Sequence, residues 1–493
     1  MSVLESHATT NYQNLDRQPL GGTWRHGRSG RVLADLDPWS GDSLLEIPLA
    51  DTSDVDDAFA GARTAQAAWA AQLPKDRAQV MLNAISIIGR RHEEIVHWLV
   101  HEGGGTLAKS EVELGAVVNG LLEAASIPHH VEGRIMPSDV PGKESRVYRR
   151  PVGVVAVISP WNFPMYLSNR SVAPALAIGN AVVLKPASDT PVTGGLLLAK
   201  IYEEAGLPPG VLSVIIGAGH EIGDAVVSHP SANFISFTGS TPVGRAIPAN
   251  AGVKRLALEL GGNGPMVVLD DADLGRAVDA AVFGSFFHQG QICMIANRLI
   301  VEAGVHDEFV ERFVSRVGRL TIGDPADPAT AVGPIINRSQ LESICEKLQR
   351  ARNAGAVQLL GGPPTGPTGL SLPPHVLLAD NEVATAREEV FGPVITIIEA
   401  TDEDHALAIA NDTEYGLSSA VFSADTERAL RFAQRLDVGM THINDSPLNE
   451  DPNTAFGGEK SSGVGRFGGA WAVEELTTDH WISVQHEPRN YPI

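Results

Sequence analysis

The order of elements predicts an α/β protein built on a doubly wound parallel sheet. Three observations predict it: residues 52 to 127 repeat apolar side chains at helical steps, β-rich runs alternate with helical stretches from Val152 onward, and a second α/β segment begins near Gly262. A chain of 493 residues also exceeds what one hydrophobic core organises, so two or three substructures are expected.

Val55, Ala58, Ala62, Ala65 and Ala68, then Val80, Ile85 and Ile88, recur at three- and four-residue steps and read as a helical scaffold. Val152 to Ile158 is followed by Ala173 to Ala177, Ala181 to Leu184, a helix around Gly194 to Ala205, Val211 to Ile216, Ile222 to Val227 and Phe234 to Phe237. Sheets of this kind bind ligands at the carboxyl ends of their strands. The second segment runs to about Thr441, with amphipathic helices at Ala277 to Phe287 and Ser339 to Ala354 and a surface turn at Gly361 to Pro367. Two pieces fit neither segment: Val131 to Arg150, broken by Pro137, Pro141 and Gly142, and the β-prone Trp481 to Val484. Taken alone they are an exposed hairpin and a frayed tail, and a lone hairpin is marginal in water.

A net charge of −22 argues against a nucleic-acid or anionic-membrane partner. No apolar run approaches the roughly 20 residues of a membrane span, and Met1 to Asp16 lacks the pattern of a signal peptide. Two cysteines leave no disulfide framework and favour a reducing cytoplasm, and no metal ion is expected.

One of those cysteines, Cys293, ends Phe286-Phe287-His288-Gln289-Gly290-Gln291-Ile292-Cys293, a glycine-bearing stretch after an apolar helix. A lone cysteine is by itself equally a core thiol, and Cys345, in the helical Leu341 to Cys345, reads as packing. Cys293 keeps different company. Glu259 closes an apolar strand that runs into Gly261 and Gly262, where burial raises a carboxyl's pKa and suits it to take a proton near neutrality. Asn162 stands between Pro160 and Pro164 as a rigid amide donor. Thiol, carboxylate and amide supply the nucleophile, base and oxyanion donor of acyl transfer.

Gly217-Ala218-Gly219-His220-Glu221-Ile222-Gly223 follows a strand and opens a helix, but its third glycine comes one residue late for a dinucleotide fingerprint, and such turns also serve packing alone. Gly239-Ser240-Thr241-Pro242-Val243-Gly244 offers a second helix N-terminus to a phosphate.

Seven motifs in order resemble the aldehyde dehydrogenase superfamily over nearly the whole chain: Pro160 to Pro164, Lys185 to Ser188, Phe237 to Thr241, Glu259 to Asn263, Gly290 to Cys293, Glu389 to Pro393 and Phe456 to Gly458. The interval from Glu259 to Cys293 also fits that family. The resemblance implies a Rossmann-type dinucleotide-binding domain from residues 1–130 and 151–261, a catalytic α/β domain over 262–470, and an oligomerisation arm and tail from 131–150 and 471–493. It implies a homodimer or homotetramer, with arm and tail building an intersubunit sheet.

It further implies that Cys293 attacks an aldehyde, Asn162 holds the oxyanion, and Glu259 activates the water that hydrolyses the thioester. Coenzyme-A-acylating relatives generally lack this base, so its presence points to a carboxylic acid product. NAD or NADP is expected against Ile158, Ser159, Trp161, Lys185, Ser188, Gly219, Phe237, Thr238, Gly239, Ser240, Leu260, Gly261, Glu389 and Phe391. Many NAD-specific relatives carry a glutamate at the place of Ser188; serine removes its repulsion of a 2′-phosphate, so both cofactors are expected to serve. Two departures stand out: Ser171 replaces a common lysine and Phe467 a common second glutamate, polar groups often assigned to a proton route away from the base.

Pro164 to Ser171, Gly439 to Asp445 and Phe456 to Gly469 resemble the aromatic-aldehyde branch, the benzaldehyde, p-hydroxybenzaldehyde and vanillin dehydrogenases. Leu167, Ile292, Met294 and Phe456 are expected to clamp a flat ring, with His442, Tyr166 or Arg170 as candidates to meet a ring substituent. The alternatives are an aliphatic or semialdehyde dehydrogenase of the same mechanism, a cofactor-independent thiol hydrolase, and a non-catalytic structural relative.

Overall fold

The computed structural model describes residues 11–493. Its first half is organised by a six-stranded sheet in the order Gly463–Val464, Arg255–Glu259, Phe234–Thr238, Val154–Ile158, Ala181–Lys185, Leu212–Val214. The last five strands are parallel, and the two-residue first strand runs antiparallel. Strand order reverses between Val154–Ile158 and Phe234–Thr238, which is where a doubly wound sheet opens a ligand crevice beyond its carboxyl ends. Ile158 and Thr238 are the residues at that edge.

Both faces of this sheet are covered, as a parallel sheet requires. Val155, Val157, Val182 and Leu184 point into one core, and Val154, Ala156, Ala181 and Val183 into the other, the two-residue period of a strand. Helix Thr52–Ala70 covers the second face with Val55, Ala58 and Phe59, and Asp51 and Asp54 close its N-terminus as a reciprocal capping box. Helices Pro74–Arg90, His92–His101 and Leu107–Ser126 build the first core with the wholly buried helix Pro164–Ile178.

A seven-stranded sheet organises the second half, in the order Val357–Leu360, His375–Leu378, Val394–Ala400, Ala296–Glu302, Gly264–Val268, Ser418–Phe422, Met440–Ile443, parallel except for its first strand. Glu259 ends a strand of the first sheet, and Gly264 begins one of the second. Gly264 pairs with Ala296, so Glu259 and Cys293 lie just ahead of neighbouring strands.

The tail is not frayed. Thr477–Gln485 pairs antiparallel with Lys143–Pro151 of its own chain along the full length of both, from Thr477 opposite Pro151 to Gln485 opposite Lys143, and Arg134–Met136 adds a third strand. The third strand supplies what a lone hairpin lacks. This sheet leaves Ile135 and Trp481 largely in solvent, 76% and 66% exposed. Among the described residues no helix is long and apolar enough to cross a membrane.

Candidate active site

The turn that presents Cys293 is made by a backbone few sequences adopt. His288, Gln289 and Gly290 have φ of 49°, 57° and 71°, three left-handed residues in succession after helix Leu274–Phe286. Side-chain bonds hold it there: Gln289 Nε2 donates to the carbonyls of Gly104 (3.0 Å) and Pro334 (2.9 Å), and Gln291 Oε1 accepts from the Ile336 N–H (3.0 Å). Glycine is required opposite Cys293 as well, since a Cβ on Gly262 would lie 2.1 Å from the Cys293 carbonyl oxygen.

Asn162, 4% exposed, gives one amide hydrogen to the carbonyl of Gln291 at 2.9 Å, which leaves its second N–H for a ligand. Asn162 and Cys293 line the same space. Glu259 is fully buried, and its Oε1 makes no hydrogen bond to the protein. Burial pushes its carboxyl up to about 8, against the opposing pull of Arg170. Burial and then the Glu259 carboxylate push the half-exposed Cys293 thiol well above its ordinary range. A thiolate at Cys293 therefore needs positive charge brought to it.

Two cavities meet at Asn162 and Cys293 and a third continues one of them, while Glu259 is not among the residues that line any of the three. One, of about 240 Å³, is lined by Leu167, Ile292, Met294 and Phe456, the four residues expected to clamp a ring, together with Asn162 and Cys293. A second, of about 370 Å³, lies along Trp161, Thr238, Gly239, Ser240, Leu260, Gly261, Glu389 and Phe391, and it too reaches Asn162, Leu167 and Cys293. The third, of about 520 Å³, is lined by Ile158, Lys185, Gly219 and Phe237 and meets the second at Pro242. Cys293 thus stands where an apolar pocket joins a long cleft over the switch point of the first sheet.

The cleft suits a dinucleotide. Helices Gly219–Ser228 and Thr241–Ala251 bring their first residues to it, and Gly219 has open space where a Cβ would stand. At the other end the Phe391 ring meets Trp161 edge-on, centroids 5.4 Å apart, with Phe391 held at φ 55°. Glu389 accepts the Gly262 N–H at 2.9 Å, while burial still pushes its carboxyl up to about 7. Burial lowers the Lys185 ammonium to about 8. Of the expected cofactor residues, Ser159 and Ser188 line neither part. Ser159 is turned to Ser168, Oγ to Oγ 2.6 Å, and Ser188 is half-buried beside the cleft.

Of the three polar candidates for a ring substituent, Tyr166 and Arg170 line the apolar cavity and His442 does not. The same wall carries residues no motif announced: Val112 and Ala116 from helix Leu107–Ser126, and Glu450 from the loop before Phe456. Phe163 and Phe287 also line it, and they lie inside Pro160 to Pro164 and the stretch that ends at Cys293.

Residues 24–482 match the model of the aldehyde dehydrogenase family, and the chain belongs to that family. It is 50% identical over 484 residues to a vanillin dehydrogenase of Corynebacterium glutamicum, covering 97% of this chain and 99% of that one. It is 42% identical to a benzaldehyde dehydrogenase [NAD(+)] of Pseudomonas putida, over 95% and 96% of the two chains. The crystal structure of an NAD-dependent benzaldehyde dehydrogenase from Corynebacterium glutamicum superposes with a TM-score of 0.90 at 47% identity, covering 98% and 100% of the two chains.

Proposed function

We propose that this aldehyde dehydrogenase oxidises aromatic aldehydes of the benzaldehyde and vanillin type to carboxylic acids with NAD or NADP. The observation that carries this reading is the position of Cys293, shared by an aryl-sized apolar cavity and the dinucleotide cleft. Its vanillin- and benzaldehyde-oxidising relatives favour the same substrate class.

The Cys293 sulfur attacks the aldehyde carbon, and the oxygen that becomes negative is met by the free Asn162 N–H and the Cys293 backbone N–H. Each such donor contributes about 2.7–4 kcal/mol. A nicotinamide dinucleotide bound in the cleft would supply the hydride acceptor, and loss of hydride from the substrate carbon leaves a thioester on Cys293. Ile158, Lys185, Gly219 and Phe237 would hold one end of the dinucleotide, and Thr238 to Ser240, Glu389, Phe391 and Trp161 the other. Glu259 then removes a proton from water as its oxygen attacks the thioester; the carbon–sulfur bond breaks and the acid leaves.

The apolar wall orients a flat ring with its carbonyl toward Cys293. The two outer strands of the arm and tail sheet, which carry Ile135 and Trp481 on opposite edges, are the surface for pairing with further copies of the chain. Initial rates of NADH and NADPH formation with benzaldehyde, vanillin and a medium-chain aliphatic aldehyde test the substrate reading. Turnover concentrated on the ring compounds is expected, and preference for the aliphatic aldehyde would overturn the aromatic assignment.

A further inference from the structure

Arg170 is a largely buried cation between two carboxylates. Its Nη2 lies 3.5 Å from Glu259 Oε2, and its Nη1 lies 3.4 Å from Glu450 Oε1. Phe456 and Phe467 sandwich the guanidinium, their ring centroids 4.4 Å and 4.5 Å from Cζ. Burial works against the cation, but Glu450 and Glu259 outweigh it and keep it charged. Phe467 therefore does more than remove a carboxylate from its position: it forms one wall of the slot that fixes Arg170.

Each turnover leaves a proton on Glu259, and that carboxyl has no direct access to solvent, its side chain being 0% exposed. Ser171 brings no charge where a lysine is common in relatives, and its hydroxyl is hydrogen-bonded to Ser236 at 2.9 Å. Arg170 cannot pass the proton on, since a guanidinium does not give up its own. Glu450 differs from Glu259 in two ways. Its side chain is 10% exposed, and it borders two spaces: the substrate cavity that also holds Cys293, and a smaller one of about 30 Å³ that runs past Tyr166, Asn169 and Glu123. That smaller space is large enough for a water molecule and is lined by polar groups.

We propose that Glu450 is the proton outlet of this active site, and that Arg170 is the positioning residue that holds the two carboxylates against one guanidinium. The inference rests on Glu259 being the hydrolytic base. Water loses a proton to the Glu259 carboxylate as its oxygen bonds to the thioester carbon and the thiolate departs. The proton then leaves Glu259 for a water held beside the Arg170 guanidinium, which passes one of its own to the Glu450 carboxylate on the wall of the substrate cavity. Glu450 releases it to solvent through the smaller cavity, and both carboxylates are regenerated with no other reactant consumed.

The test is rapid mixing of the NAD-bound enzyme with benzaldehyde for Glu450→Gln, Glu450→Asp and Glu259→Gln. For Glu450→Gln the first burst of NADH is expected to keep its amplitude, while steady turnover falls by at least about tenfold and recovers as imidazole buffer is raised. Glu450→Asp, which keeps the carboxyl, is expected to recover most of the turnover. Wild-type steady turnover in Glu450→Gln, or loss of the burst in both Glu450 variants, would overturn the outlet. Unchanged turnover in Glu259→Gln would instead overturn the base on which the outlet rests.

Discussion

Asn162 is bonded through its amide to the carbonyl of Gln291, two residues before Cys293, at 2.9 Å. The proposed oxyanion donor and the loop of the proposed nucleophile are thereby one unit, although 129 residues of chain separate the bonded pair. Gln291 in turn is tied to Ile336, so the unit is anchored in the second half of the molecule.

Asn162→Ala removes a donor from the developing oxyanion and also frees the loop. Turnover is expected to fall about 10²- to 10³-fold, with the loss in hydride transfer and not in thioester hydrolysis. Single-turnover measurement of NADH formation checks it, and an unchanged hydride rate would contradict the role.

Gly262→Ala tests how closely the strand-linking turn must approach the nucleophile. The added Cβ would stand 2.1 Å from the Cys293 carbonyl oxygen and 3.2 Å from its carbon, so the Cys293 backbone must shift. A displacement of about 1 Å at a reacting group costs on the order of 10²-fold in rate. Circular dichroism alongside the rate assay is expected to show a folded but nearly inactive protein.

The Glu259 carboxyl sits at about 8, raised first by burial. Only its deprotonated form takes a proton from water, so thioester hydrolysis is expected to rise as pH climbs through about 8 and to level off above it. Stopped-flow measurement of the phase after the NADH burst, from pH 6 to 10, reads this directly. A rate independent of pH over that range would remove Glu259 from the step.

Cofactor choice is expected to turn on position 188. Ser188 lines neither part of the cleft, and Ser188→Glu extends a longer, negatively charged side chain from the same backbone, which is expected to repel a 2′-phosphate. The ratio of kcat/KM for NAD over NADP is expected to rise; an unmoved ratio would mean that position 188 does not address the ribose.

Much of this site was legible along the chain because its parts sit in contiguous motifs at strand ends: Asn162 after Val154–Ile158, Glu259 ending Arg255–Glu259, and Cys293 just before Ala296–Glu302. Helix Pro164–Ile178 was not. All of its residues are buried, so Ala173 to Ala177 has no polar face to reveal a helical period. The Arg170 cluster escaped for a different reason. Arg170 meets Glu259 and Glu450 across 89 and 280 residues of sequence, and neither pairing has a local pattern. Ser171 and Phe467 were visible as departures, but what stands in their place required the packed rings around Arg170.

The most direct test of the account is mass spectrometry of Glu259→Gln after mixing with NAD and benzaldehyde. The account predicts a benzoyl thioester accumulating on the peptide that carries Cys293, in step with the burst of NADH. No adduct, or an adduct on another residue, would contradict it.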